Sequence, residues 1–533
     1  MKRLVLLAFS LIYSCLSFAQ YNLSQLSTLS IGNNGYANIW GYKQGNKEYA
    51  LLGCSGSSTL TDACAIINIT SPSNPVTLFK VPGPRSLWRE IRTWQHYAYI
   101  TTEHSDNTFG VTIVDLQYLP DSIKTKQYTA NGLISNVHAL HIDNGYLYLY
   151  GANNSVSLTG ALIINLSDPW NPTVAGAYTG KYVHDGIVRN NKLYAGEINS
   201  GTFSIVDVTN KSAPVVLNSQ TTPFEFTHNT WLSSNSNYLY TTDEKKDAFV
   251  TSYDVSDPSN IKELDRYRRQ YANGSIPHNT YILNDSLATG TNTDFLLTSY
   301  YTDGITIVDA ARPDNLVEVA HFDTSPFSGE GYNGAWGVYP FLPSGKILVS
   351  DMELGLYVLQ PNYQRACYVE GIITDVATGL TIPNATVIFF NNAKSKLGKL
   401  DGKYKTGIVT QGIQDVVYTA PGYQSKTVSV NMIRGVVVNQ DVALSPIGFG
   451  MEQASTKAIS VFPSSVKNEI YFNKTTANSI HLVMLDNTGK KVLEKILSDS
   501  ESKVDVSTLK SGMYIVQLFE GSKLLQTEKI IKE

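Results

Sequence analysis

Thr306-Ile-Val-Asp309 is a β-branched run closed by a turn former, and the same phrase returns along the chain. Its other copies are Ala65-Ile-Ile-Asn68, Thr112-Ile-Val-Asp115, Leu162-Ile-Ile-Asn165, Ser204-Ile-Val-Asp207, Thr251-Ser-Tyr-Asp254 and Leu356-Tyr-Val-Leu359, seven in all. The turns that follow share a chemistry: Ser71-Pro-Ser-Asn-Pro75, Ser167-Asp-Pro-Trp-Asn-Pro172, Asn210-Lys-Ser-Ala-Pro214 and Ser256-Asp-Pro-Ser-Asn260 join proline's fixed φ to Asx and Ser side chains that cap their own backbone. Upstream of each phrase runs another strand, such as Gly145-Tyr-Leu-Tyr-Leu-Tyr150, and before that one opening with His, Trp or a small polar residue. Downstream comes a fourth, such as Leu316-Val-Glu-Val-Ala-His-Phe322. Four strands per unit at a spacing of about 50 residues specify propeller blades rather than a solenoid. No sustained 3.6-residue pattern competes with them.

The last copy is short of a strand, because after Leu359 the chain meets Gln360-Pro-Asn. Leu26-Ser-Thr-Leu-Ser-Ile31 reads as the missing strand, and adding it to the final blade closes the ring and removes an exposed edge. The expected fold is all-β, a seven-bladed β-propeller followed by two small β-sandwich domains. The Ile-Val-Asp phrases resemble LVIVD repeats, and the region from about Asn22 to Gln360 is similar to the choice-of-anchor B propellers of secreted bacterial proteins. That resemblance implies surface placement and says little about activity.

With 533 residues, 42% apolar and 16% charged, the chain is globular and multidomain. A net charge of −4 without a basic block gives no electrostatic reason for a nucleic acid partner. Lys2-Arg3, the apolar run Leu4 to Leu16 and Ser17-Phe18-Ala19 read as a signal peptide over residues 1–19, with Cys15 as a competing lipoprotein cysteine. No later segment has the length of a membrane-spanning helix. In an export compartment Cys54 and Cys64, which bracket a polar loop, are candidates for a disulfide, while Cys367 lacks an obvious partner.

The propeller is assigned to residues 20–362. Beyond it Val369-Glu-Gly-Ile-Ile-Thr-Asp375, Ile382-Pro-Asn-Ala-Thr-Val387, Asp401-Gly-Lys-Tyr404 and Ala420-Pro-Gly-Tyr423 describe a small sandwich over 363–446. It resembles the carboxypeptidase regulatory-like domain, which implies a spacer or adhesive module without peptidase chemistry. Residues 447–458 read as a linker. Over 459–533, Val461-Phe-Pro-Ser-Ser, Leu485-Asp-Asn-Thr-Gly-Lys490, Ser511-Gly-Met-Tyr-Ile-Val516 and Lys529-Ile-Ile-Lys532 resemble the type IX secretion sorting domain, with Ser465 in place of the usual second proline. The resemblance implies passage through the outer membrane by the type IX machinery, then release or surface attachment.

Histidines open several inner strands: His138-Ala-Leu-His141, His184-Asp185, His228-Asn229 and His278-Asn279, with Trp88-Arg-Glu90 and Asn333-Gly-Ala-Trp336 in equivalent places. Acidic groups follow the second strands: Glu103-His104, Glu197, Asp243-Glu244 and Asp351-Met-Glu353. Both positions are expected near one end of the central channel. The candidate site is therefore His138, His141, His184, Asp185, Glu197, His228, Asp243 and His278. Neutral imidazole with carboxylate is an ordinary ligand set for a divalent metal, and such a metal could activate water with Glu197 as general base. The competing reading gives each His or Asn a structural bond to the neighbouring blade, a repeated answer to a repeated strand end. No cofactor is required by the sequence, and a divalent metal is the one it accommodates. No Gly-x-Ser-x-Gly elbow, phosphate loop, His-Glu-x-x-His helix or EF-hand loop is present, so catalysis stays open. Trp170 and the Tyr271 loop offer aromatic surface for a sugar or protein. The expected function is binding or adhesion at the cell surface, to a glycan or an envelope protein. The alternative is a secreted metal-dependent hydrolase or lyase acting at the channel mouth.

Overall fold

A computed structural model describes residues 21–32, 35–103, 109–152, 160–269, 274–285, 292–389, 394–447, 459–474, 479–498, 502–521 and 523–533. The signal peptide, His104, Tyr271 and nearly all of the linker lie outside them. Among the described residues seven four-stranded antiparallel sheets follow one another as blades, and no helix is long and apolar enough to cross a membrane. Each blade starts with an inner strand: Tyr36–Gln44, Ile91–Trp94, Ala139–Asp143, Asp185–Arg189, Thr227–Leu232, Thr280–Asp285 and Ala335–Tyr339 in turn. Each inner strand neighbours the next, and the seventh neighbours the first. The ring is closed.

Closure uses the chain's first strand, Leu23–Leu29, which pairs antiparallel with Gly355–Pro361 and forms the outer edge of the seventh blade. It begins three residues before the stretch read from the sequence. The pairing runs from Leu23 opposite Pro361 to Leu29 opposite Leu356, with an irregularity between Gln25 and Ser27.

Every copy of the repeated phrase occupies the third strand of its blade. In six of them the closing side chain accepts a hydrogen bond from the amide two residues on: Asn68 from Thr70, Asp115 from Gln117, Asn165 from Ser167, Asp207 from Thr209, Asp254 from Ser256 and Asp309 from Ala311, all at 2.7–3.0 Å. This is the turn that Asx side chains form with their own backbone. The seventh phrase ends in Leu359 and runs on as strand to Pro361.

The apolar runs do not alternate with polar residues because both faces of a blade are covered. Ile113 packs with Leu147, Leu149 and Ile164 of the third blade, whereas Val114 packs with Leu51 and Ile66 of the first. Packing is therefore laid down between blades, and each blade depends on two neighbours.

Cys54 and Cys64 are free thiols, which corrects the disulfide expectation. Gly53, not Cys54, stands opposite Cys64, so strand alternation sends the two sulfurs to opposite faces of the sheet. Cys54 packs with Leu52 and Tyr36, and Cys64 with Leu51 and Val81. Burial pushes the Cys54 thiol up to about 12.

Residues beyond Gln364 form a separate unit. In its first part the sheet of Cys367–Asp375, Lys403–Ile408, Val437–Asn439 and Val442–Leu444 shares a core with that of Thr386–Phe389, Lys394–Leu397, Gly412–Thr419 and Lys426–Met432, through Val369, Ile373, Phe389, Val416 and Tyr418. In its second part a three-stranded and a five-stranded sheet enclose Ile470, Leu482, Met484, Val516 and Leu518.

Candidate functional site

Inner strands open on the mouth of the channel, and local backbone irregularity decides what points into it. In the fifth blade Thr227 faces Asp243 while Asn229 faces Thr242, so His228 is the extra residue of a β-bulge. In the seventh, Ala335 faces Asp351 and Gly337 faces Ser350, which leaves Trp336 as the extra residue. A bulge re-aims a side chain that strict alternation would send elsewhere. Here it turns an imidazole and an indole toward the axis.

The result is an aromatic arc around the mouth. His138 and His184 have ring centroids 4.1 Å apart, His184 and His228 4.4 Å, His228 and His278 4.3 Å, and His278 and Trp336 4.6 Å. Trp336 then stacks on Trp88 at 4.8 Å with ring planes 19° apart. Together with Glu90 and Asp185 these six residues line a well that holds about 20 Å³. That is the volume of a single water-sized particle.

Beneath the mouth the channel is filled. Trp40 meets Tyr339 edge-on at 4.7 Å, Tyr281 meets Trp231 at 4.7 Å, and the Arg92 guanidinium lies 4.1 Å over Trp40. These contacts join neighbouring blades, while Arg92 over Tyr281 at 5.9 Å and His141 edge-on to Trp231 at 5.8 Å reach across the ring, so among the described residues the axis is a packed plug. Arg92 is paired with Glu90, which also accepts a hydrogen bond from Asn38. His141 belongs to this layer, with Nε2 donating to Val188 O at 3.2 Å and burial pushing it down to about 3. Asp185 lies between the layers and accepts from Asn229 at 2.6 Å; burial holds its carboxyl above the usual range.

The structure thus brings His138, His184, His228 and His278 together and leaves the other expected residues elsewhere. Glu197 is fully buried with Lys181, Thr202 and Tyr178, 2.8 Å from the Lys181 ammonium. Asp243 accepts from Thr222 and from the amides of Phe224 and Phe226, holding the loop that enters the fifth blade. These two carboxylates do not meet the imidazoles; each is already satisfied by other neighbouring groups. The acids that do are Glu103, 2.7 Å from His138 Nδ1, and Glu244. Glu244 Oε2 is 3.8 Å from His228 Nε2, and its Oε1 is 3.9 Å from His278 Nε2. Tyr301 donates to Glu244 at 2.5 Å. Burial raises the Glu244 carboxyl to about 7 despite that bond. His184 and His228 are held well below the ordinary imidazole range by burial and by neighbouring imidazoles, and burial takes His278 down to about 3.

The supporting shell repeats from blade to blade. Thr101 Oγ1 donates to His138 O at 3.1 Å, Thr242 Oγ1 to His278 O at 2.6 Å, and Ser299 Oγ to Trp336 O at 2.9 Å. Second-strand hydroxyls thereby hold the main chain of mouth residues in the next blade.

Residues 460–533 match the secretion system C-terminal sorting domain. The chain carries a sorting domain. Export by the type IX route to the cell surface or beyond follows from it. The sorting domain covers only the last part of the chain, and no match to this chain was found among curated proteins. Among solved structures the chain is similar to two proteins assigned as 6-phosphogluconolactonases. For the one from Bacteroides uniformis, identity is 12% and the TM-score 0.44, over 68% of this chain and 100% of the other. For the one from Bacteroides fragilis, identity is 11% and the TM-score 0.45, over 66% and 95%. The β-propeller domain of Swd1 from Myceliophteria thermophila matches at 10% identity and TM-score 0.43, over 63% and 99%.

Proposed function

We propose that the protein is an exported binding protein whose propeller presents one ligand seat at the channel mouth. The observation that supports it is the stacked Trp88–Trp336 pair beside converging imidazoles and carboxylates, above a channel that is otherwise filled. Flat indole faces next to hydrogen-bonding groups suit a glycan, which offers apolar ring faces and hydroxyl edges. Tyr332, 54% exposed and edge-on to Tyr301 at 5.3 Å, extends this aromatic wall outward. The likeness to LVIVD-repeat, choice-of-anchor B propellers agrees with display at the surface, with the regulatory-like sandwich as spacer.

The test is calorimetric titration of the purified chain with envelope polysaccharides and surface-protein extracts. Trp88→Ala and Tyr332→Ala are expected to weaken glycan binding at least tenfold, as loss of an aromatic contact of about 1.5 kcal/mol requires. Unchanged affinity in both variants would refute the seat.

A hydrolase or lyase reading is favoured by one feature, the His138–Glu103 pair at 2.7 Å, in which the carboxylate orients an imidazole as a proton acceptor. Turnover of polysaccharide or ester substrates that His138→Gln abolishes, with binding retained, would establish it. Binding without turnover leaves the pair structural.

A further inference from the structure

The structural and ligand roles of the mouth histidines fall on different nitrogens. His278 Nδ1 lies 2.6 Å from Trp336 O and His184 Nδ1 lies 3.3 Å from His228 O, so in each ring the proton sits on Nδ1 and is donated to the next blade. A neutral imidazole has one proton, which leaves the Nε2 lone pair free. His278 Nε2 and His228 Nε2 both face Glu244, at 3.9 and 3.8 Å, too far for hydrogen bonds. His228, only 5% exposed, also has an Nδ1 without a hydrogen-bond partner. His278 Nε2 thus presents a lone pair beside the Glu244 carboxylate, and His228, with neither ring nitrogen held by a hydrogen bond, is free to turn its own Nε2 lone pair to the same small gap. Their atoms lie within 4.8 Å of one another, and the adjoining well admits one water-sized particle.

We infer that this gap is a binding site for one divalent first-row transition metal ion, ligated by His228 Nε2, His278 Nε2 and the Glu244 carboxylate. Imidazole and carboxylate together favour zinc, nickel, copper or iron over calcium and magnesium, which require an oxygen shell. The atoms need a contraction of a few tenths of an ångström to reach bonds of about 2.0–2.2 Å. Three protein ligands leave a coordination position open for an oxygen of a ligand in the mouth. The surrounding bonds form the outer shell such sites use: Tyr301 orients Glu244, and Trp336 O fixes the proton of His278 on the nitrogen away from the metal. The metal site goes beyond the glycan seat and stands without it.

The experiment uses the full chain with a histidine-free affinity tag, stripped with chelator and reloaded. Zinc content by mass spectrometry and the visible spectrum of the cobalt form are the readouts. One equivalent of zinc per chain and a cobalt spectrum of low-symmetry, nitrogen-containing ligation are expected. His278→Asn keeps a donor for Trp336 O but lacks the Nε2 ligand, so it retains the fold and should weaken zinc binding about 100-fold or more, as should His228→Asn. Tyr301→Phe should weaken it about 10- to 100-fold, and His96→Ala, paired with Asp115 elsewhere, should leave it unchanged. Less than about a tenth of an equivalent in the reloaded wild-type chain, or equal binding by wild type and a folded His278→Asn variant, would overturn the inference. Glycan titration repeated in chelator separates its failure from that of the ligand seat.

Discussion

Arg92 and Glu90 form an ion pair in the channel plug, with their side chains only 4% and 8% exposed. Arg92→Met keeps the length of the side chain and its packing on Trp40 but leaves the Glu90 carboxylate with Asn38 as its side-chain partner. A buried charge stripped of its counter-charge costs about 3–5 kcal/mol. For a propeller of about 340 residues the unfolding entropy converts that to a fall of roughly 4–7 °C in the propeller's melting temperature. Glu90→Gln is expected to lower the melt as well, because Arg92 then stays charged in the same layer. The double variant should recover to within about 1 kcal/mol of wild type, since a neutral pair of similar volume needs no compensation. Differential scanning calorimetry of the four proteins completes the cycle, read on the transition that the Arg92 and Glu90 substitutions move. A double variant as unstable as the sum of the singles would refute the reasoning, and so would an Arg92→Met variant that melts with wild type.

In the chelator-stripped chain the mouth histidines make the propeller acid-sensitive. His278, near 3 when folded and about 6.5 when unfolded, binds its proton mainly in the unfolded state between those values, so stability falls as pH drops below about 6.5, by about 2 kcal/mol at pH 5 for this residue. Glu244, raised to about 7, acts in the opposite sense, losing stability as pH rises from about 4.5 to 7, so Glu244→Gln should make the acid loss steeper in melts from pH 7 to 5. A chain beginning at residue 33 lacks the strand that pairs with Gly355–Pro361 and should melt several degrees lower than the intact propeller; equal melts would refute closure. Reductant should leave the melt unchanged, and thiol titration of the denatured protein should count Cys54, Cys64 and Cys367 as free. Removing residues 460–533 should stop export and leave the protein inside the outer membrane, as fractionation and immunoblotting would show.

The repeat was legible because it reports local chemistry. Each Asx at the end of a third strand bonds the amide two residues on, so every blade needs that residue at that place, and the seventh copy lacked it where the chain has no turn to make. The closing strand was legible for the complementary reason, since a blade with three strands exposes an edge. The site was only half legible. His138, His184, His228 and His278 open equivalent strands, which brings them to the mouth, although aiming His228 at the axis takes a bulge. Their acidic partners were not legible, since Asp243 and Glu244 are neighbours in sequence and only the fold shows that Glu244 faces the imidazoles while Asp243 turns to the loop before the strand. Glu197 misled because a carboxylate after a second strand serves equally well as the buried partner of Lys181. The plug was out of reach, since contacts such as Trp40 with Tyr339 join the first and last blades, which only ring closure sets side by side.

The most direct test of the mouth as a built site is anomalous diffraction at the zinc edge from crystals of the zinc-loaded full chain. The account predicts one strong peak between His228 Nε2, His278 Nε2 and Glu244, with the proton-bearing Nδ1 of His278 still directed to Trp336 O. Density for water alone at that position, or zinc bound only elsewhere on the chain, would contradict it.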